Sequence, residues 1–210
     1  MNIQEENYNI SIVIFKLEKS IDCEHCNGCL QCIKFLTSCR KIDNKIAPNQ
    51  IQITRGEVNK NENPDDASIR HLKEQVGLII DKKYLLKYYE FKRNDEENNC
   101  IKVRTDFMLL INDERIKDGS IKIIKPTNQE KIDVNWTTYR INNRINDRYI
   151  LNNHVWLDIY QIRSRDKIYT KKVWTHTFKQ IHLFLDIFEL LEKDFEMQYN
   201  GPNKNPIYIN

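Results

Sequence analysis

The segment GEVNKNENPDDASIRHLKEQVGL, residues 56–78, constrains this chain more than any other. It follows a run at 51–54 that alternates apolar and polar residues, so a strand leads into a glycine and a loop. Asn63 suits a helix N-cap and Pro64 the first helical position, while Asp65 and Asp66 set negative charge against the positive end of the helix dipole. Gly77 marks the helix end. Between these limits Ile69, Leu72 and Val76 recur at helical spacing and are expected to face a core, which leaves His71, Glu74 and Gln75 on a different face.

Other elements surround this unit. Residues 10–17 form a β-branched apolar run of strand length, and KFLTSC at 34–39 is a second strand, expected to pair with the first across a Cys-rich stretch. Residues 84–93 and 102–111 read as a hairpin joined by the polar turn NDEENN, with 108–111 as its most buried part. The stretch 113–153 carries weak strand signals at 121–124 and 134–139 and reads as an elaborated loop. HVWLDI at 154–159 is expected to be a late strand, and an apolar repeat from Phe178 to Phe195 marks a long helix. The tail NGPNKNPIYIN has turn formers and no periodicity.

From Gly56, five residues lead to Glu62 and seven more to Arg70, after which Leu72, Glu74, Gly77 and Leu78 follow in fixed order. This order resembles the Nudix box, G-x5-E-x7-R-E-U-x-E-E-x-G-U, where U is aliphatic. Seven of the nine specified positions agree, and the two exceptions are His71 and Gln75. The resemblance implies a Nudix-type α/β/α sandwich with a mixed sheet, here with a Cys-rich insertion after the first strand and a long C-terminal helix. HVWLDI is similar to the family's late strand, in which a Trp precedes the closing helix. By the same resemblance Glu62 and Arg70 brace the loop against the helix, and Gly56, Leu72 and Gly77 are structural positions of the box.

In active members of that family the acids matching positions 71, 74 and 75 bind magnesium or manganese and help activate water, which attacks a diphosphate linkage. Hard divalent cations require such clustered oxygen ligands, and here the charge of the set falls from about three negatives to one, leaving Glu74 alone. High-affinity magnesium binding is therefore expected to be lost. The alternative is an active, metal-dependent pyrophosphatase of nucleoside diphosphate derivatives or capped RNA. In that reading Glu74 and His71 are the catalytic residues, with His71 as a replacement base near neutral pH.

Cys23, Cys26, Cys29 and Cys32 recur every three residues, with Cys39 beyond. The run resembles zinc or iron–sulfur ligand spacing without matching either cleanly. Two readings stay open: four thiolates wrapped around one zinc, or a Cys-rich loop between two strands. Neither supplies catalysis, because a closed Cys site leaves no open coordination position.

Lys+Arg 33 against Asp+Glu 30 gives a net charge of +3, too mild to imply nucleic acid without clustering. Local clusters exist. Arg140, Arg144 and Arg148 are interleaved with Tyr139 and Tyr149, and Arg163, Arg165, Lys171 and Lys172 accompany Tyr169 and Trp174. This mix suits phosphate contact and base stacking, and a solvated loop has the same composition. Glu5 and Glu6 precede the first apolar run, unlike a signal or transit peptide, and no apolar stretch approaches the roughly 20 residues of a membrane span. An intracellular protein, cytoplasmic or organellar, is expected. At 210 residues and 40% hydrophobic it is expected to form one domain over 1–196, with the insertion at 20–33 and a tail at 197–210. The resulting expectation is a Nudix-fold protein, catalytically impaired, that serves as a structural or interaction subunit of a larger assembly. Protein partners and RNA are its expected contacts, as for Nudix-fold subunits of ribonucleoproteins such as the mitochondrial ribosome.

Overall fold

The computed structural model describes residues 5–18, 32–133, 150–163 and 173–199. Its organising element is β1 (Glu5–Leu17), which runs parallel to β7 (Cys100–Leu110) and antiparallel to both β2 (Ile33–Cys39) and β4 (Thr54–Glu57). The hairpin partner β6 (Leu85–Asp95) extends the sheet on one side. On the other side lie β10 (His154–Asp158) and β9 (Ile150–Leu151), and β3 (Ile51–Gln52) pairs with β2. The result is an eight-stranded mixed sheet of order β6-β7-β1-β2-β10-β9, with β3 and β4 off that path.

Alternation along β1 creates the two cores of a sandwich. Ile10, Ile12 and Ile14 pack with Phe107 and Leu109 against Ala67 of α1 (Pro64–His71) and Leu72 of the turn that follows it. Val13 and Phe15 point the other way, joining Phe35, Val155 and Leu157 beneath α3 (Ile159–Arg163) and α4 (Thr175–Tyr199). Phe184 of α4 is fully buried there, its ring 4.8 Å from that of Phe15 and 5.7 Å from that of Phe35. Truncating such an aromatic anchor to Ala costs about 3–5 kcal/mol. The expected α/β sandwich with a mixed sheet is thus the observed architecture.

Several expectations need correction. The run at 51–54 is not one strand, because Ile53 breaks it into β3 and β4. The stretch 113–153 is not merely a loop: α2 (Asp113–Lys117) is capped by the Asn112 side chain, and β8 (Ile121–Ile123) pairs with β5 (Leu78–Ile80). In β7 the deepest residues are Asp106, Phe107 and Leu109, whereas Met108 is only half-buried. Cys23, Cys26, Cys29, the signal at 134–139 and the tail beyond residue 199 lie outside the described residues.

Candidate functional site

The box helix starts as its sequence dictates. Asn63 Oδ1 accepts from the Asp66 amide at 2.8 Å, Pro64 occupies the first position, and Asp65 and Asp66 stand in the first turn. After His71 the helix widens into a π-turn, Leu72–Val76, closed by the bond from Gly77 N to Leu72 O at 2.9 Å. Gly77 then takes the left-handed conformation, φ 79°, and a Cβ there would overlap the Ile124 carbonyl.

This geometry decides where the two exceptional residues point. His71 is buried at the cleft that Glu74 and Gln75 also line, so the three share a face as expected, with the imidazole in contact with β4. Its Nε2 donates to the Glu57 carbonyl at 2.9 Å. Gln75 Nε2 lies 3.0 Å from the Arg55 carbonyl and 3.0 Å from His71 Nδ1. A carbonyl can only accept and the Gln amide nitrogen can only donate, so the set is satisfied by one arrangement: neutral His71 with its proton on Nε2. Burial pushes the imidazole pKa down, with Arg70 adding to that, against the opposing pull of the Glu57 bond. The ring also lies against Gly56, where any Cβ would overlap it. His71 and Gln75 therefore bind the helix directly to β4.

Glu62 and Arg70 form the brace the sequence suggested. Arg70 Nε reaches Glu62 Oε1 at 2.9 Å and Nη2 reaches Oε2 at 2.7 Å, a bidentate pair. Asn59 N adds a bond to Oε2 at 2.9 Å, and with Arg70 it holds the Glu62 carboxyl down at about 2. Arg70 Nη2 also donates to the Glu57 carbonyl at 3.0 Å, so that oxygen already accepts two bonds. Glu74 sits 3.5 Å from Arg70 Nη1. Asp66 pairs with Lys82, away from the box.

A divalent metal at this place would draw on the carboxylate at 74, the side chains at 71 and 75 and neighbouring backbone oxygens. The residues present do not fit one. Among the described residues no group of three or more His, Cys, Asp or Glu is arranged to hold a metal. The side chains at 71 and 75 and the carbonyls of 55 and 57 bond to one another, and Glu74 faces a guanidinium.

The widened turn leaves carbonyls that the sequence reading did not provide for. Asn128 N donates to Glu74 O at 2.8 Å, Gln129 Nε2 to Gln75 O at 2.8 Å, and Asn152 Nδ2 to Val76 O at 2.8 Å. Gln129 and Asn152 also bond to each other's segments, so the 124–132 stretch is tied to the hairpin of β9 and β10. The only available signal for these residues was their amide chemistry, hidden in a chain rich in Asn throughout.

Beside the box helix lies a cleft of about 290 Å³. Its second wall is cationic and aromatic: Arg40 just after β2, Arg55 on β4, and Trp174 at the start of α4. Trp174 is fixed by its backbone N–H, which donates to Ile51 O at 2.9 Å. The Arg55 guanidinium lies 4.0 Å from the Trp174 ring centroid and that of Arg40 5.3 Å. Burial lowers Arg55 to about 10, with further contributions from Arg40 and Arg104. Sequence reasoning missed Arg40 and Arg55, because neither lies in a run of interleaved basic and aromatic residues. Of the basic residues it singled out, Arg140, Arg144, Arg148, Arg165, Lys171 and Lys172 lie outside the described residues, and Arg163 ends α3. Cys32 is buried at the start of β2, where its carbonyl accepts from Glu18 N at 2.8 Å.

The chain matches no family model and no curated protein sequence. Solved structures do match. The Deinococcus radiodurans protein DR0079 superposes with TM-score 0.50 at 10% identity, covering 86% of this chain and 85% of its own. Trypanosoma (T. brucei) MERS1 in its apo form gives TM-score 0.51 at 12% identity, over 75% of this chain and 59% of that one; MERS1 has also been solved as an RNA complex. A MutT/nudix family protein from Enterococcus faecalis gives TM-score 0.43 at 19% identity, and this chain spans 44% of its length. The sandwich and the box helix give the chain a Nudix-type fold, and the likenesses to DR0079 and apo MERS1 concern that fold alone.

Proposed function

We propose that this protein is a Nudix-fold subunit without diphosphate-cleaving activity, acting through protein and RNA contacts in a larger assembly. One observation carries the reading: the bonds from His71 to Glu57 O and from Gln75 to Arg55 O do by protein alone what a metal ion would do between helix and strand. With those groups engaged and Glu74 drawn to Arg70, the carboxylates left along this cleft among the described residues are Glu57 and Glu130, and neither stands at a ligand position of the box. His71 serves as a strut in this reading, and not as a general base, since both ring nitrogens are committed.

The RNA side of the reading is supported by the arginines and aromatics at 139–149 and 163–174. It has a fold-level precedent in MERS1, solved bound to RNA. The four cysteines at 23, 26, 29 and 32 are proposed as a zinc clasp for the insertion; equimolar zinc in the purified protein supports this, and zinc-free folded protein contradicts it.

The test is an activity panel of nucleoside diphosphate derivatives and capped RNA with manganese or magnesium. No product is expected from the wild type. Turnover that Glu74→Gln abolishes would establish the hydrolase instead.

A further inference from the structure

β6 forms one margin of the large sheet, and among the described residues no strand pairs with its outer edge. An open edge of this length is a template for another strand, which proteins ordinarily block with Pro, bulges or lysines. β6 carries no Pro, and its register shift lies between Lys87 and Tyr89, near its start. Beyond that shift, residues 90–94 are exposed without a break, so alternate side chains meet solvent from both faces of the sheet. Glu90 and Lys92 share one of those faces, and Tyr89, Phe91 and Arg93 the other. Phe91 is 39% exposed even with the Arg104 guanidinium 5.6 Å from its ring centroid. No residue of β6 lines the cleft beside the box helix.

We propose that a second copy of this chain pairs with this edge, β6 against β6 in antiparallel sense about a two-fold axis at Phe91, so that the sheets of two copies become continuous. The charges select that register. Backbone groups alternate in direction along a strand, so in a symmetric antiparallel pair each residue faces one an even number of positions away, and the axis passes through a residue. Centred on Glu90 the pair would oppose two glutamates, on Lys92 two lysines, and on Arg93 two arginines. A centre at Tyr89 runs into the register shift, and one further along runs past the strand end at Asp95. Centred on Phe91 the pair sets Glu90 against Lys92 of the second copy, Lys92 against Glu90, Tyr89 against Arg93, and ring against ring. Within one chain Glu90 lies 2.6 Å from Lys87, and Lys92 3.7 Å from Glu6. Exposed pairs of this kind contribute little and are exchanged readily. The contact buries a strand edge and a few side chains, less than the roughly 1,200 Å² of stable interfaces, so the dimer is weak and forms at high local concentration.

Sedimentation velocity of the full chain over a dilution series from about 500 to 5 μM tests it, and a reversible monomer–dimer equilibrium is expected. Glu90→Lys and Lys92→Glu each set two like-charged pairs across the axis, and each is expected to weaken the dimer at least roughly tenfold. Combining the two changes in one chain restores both attractions. An equimolar mixture of the two single variants restores them as well, as a heterodimer of one with the other. Recovery to within about threefold of the wild type is expected in both cases. All variants should keep the thermal midpoint of the wild-type monomer, because both positions are exposed. A chain that stays monomeric throughout the series overturns the proposal. A dimer that the single variants leave unchanged overturns it too, as does one that neither the exchange nor the mixture restores, because another surface would then hold the copies together.

Discussion

His71 Nε2 lies 2.9 Å from the carbonyl oxygen of Glu57, in a helix whose resemblance would place a metal-binding acid at that position. Gln75 makes the matching bond to the Arg55 carbonyl at 3.0 Å, so the strand is joined to the helix twice by neutral groups. Restoring acids with His71→Glu and Gln75→Glu would set two carboxylates against two carbonyls. Without metal, the double variant is expected to lose about 2–4 kcal/mol in urea unfolding, from two lost bonds and acceptors left bare. Manganese should recover part of that loss in the variant and leave the wild type unmoved.

Gly56 exists for the ring above it. Gly56→Ala is expected to destabilise by about 1–3 kcal/mol, the usual cost of overpacking, because the new Cβ overlaps His71. In a His71→Ala background the same change should cost much less, and a double-mutant cycle measures the difference. Equal costs in both backgrounds would dissociate the glycine from the ring.

Acid should weaken the fold in a defined window. His71 and His154 are both kept neutral by burial, His154 with its pKa pushed down to about 4. Their native values lie below the unfolded ones, so the unfolded state binds more protons and stability falls as pH drops below about 6.5. For the fully buried His154 the loss between about 6.5 and 4 is on the order of 3 kcal/mol. Glu62 works with opposite charge in the same direction: its contribution is present above its ordinary range and fades as pH falls toward 2. A flat stability profile from pH 7 to 4 would contradict the neutral assignments.

The amides around the π-turn carry stability that no motif announces. Gln129→Ala and Asn152→Ala each expose buried carbonyls of the turn, so each is expected to cost about 1–3 kcal/mol. Hydrogen exchange at Gly77 should quicken, since its bond to Leu72 closes that turn.

The box helix was legible because its start and stop are local chemistry: Asn63, Pro64 and Gly77 act within a few residues of themselves. The sheet was legible where one strand alternates over a long run, as β1 and the β6–β7 hairpin do. His71 was not, because a histidine's partners depend on which carbonyl the fold brings above it, and a one-residue widening of the helix turned Gln75 the same way. Arg40 and Arg55 were missed for a related reason. They lie fifteen positions apart in sequence and come together beside Trp174, more than a hundred residues later.

Manganese titration of the wild-type chain, followed by the loss of the free-ion electron paramagnetic resonance signal, tests the central claim most directly. The latch of His71 and Gln75 should leave the signal undiminished at micromolar metal, with Glu74→Gln indistinguishable from wild type. Micromolar uptake that Glu74→Gln removes would contradict the account.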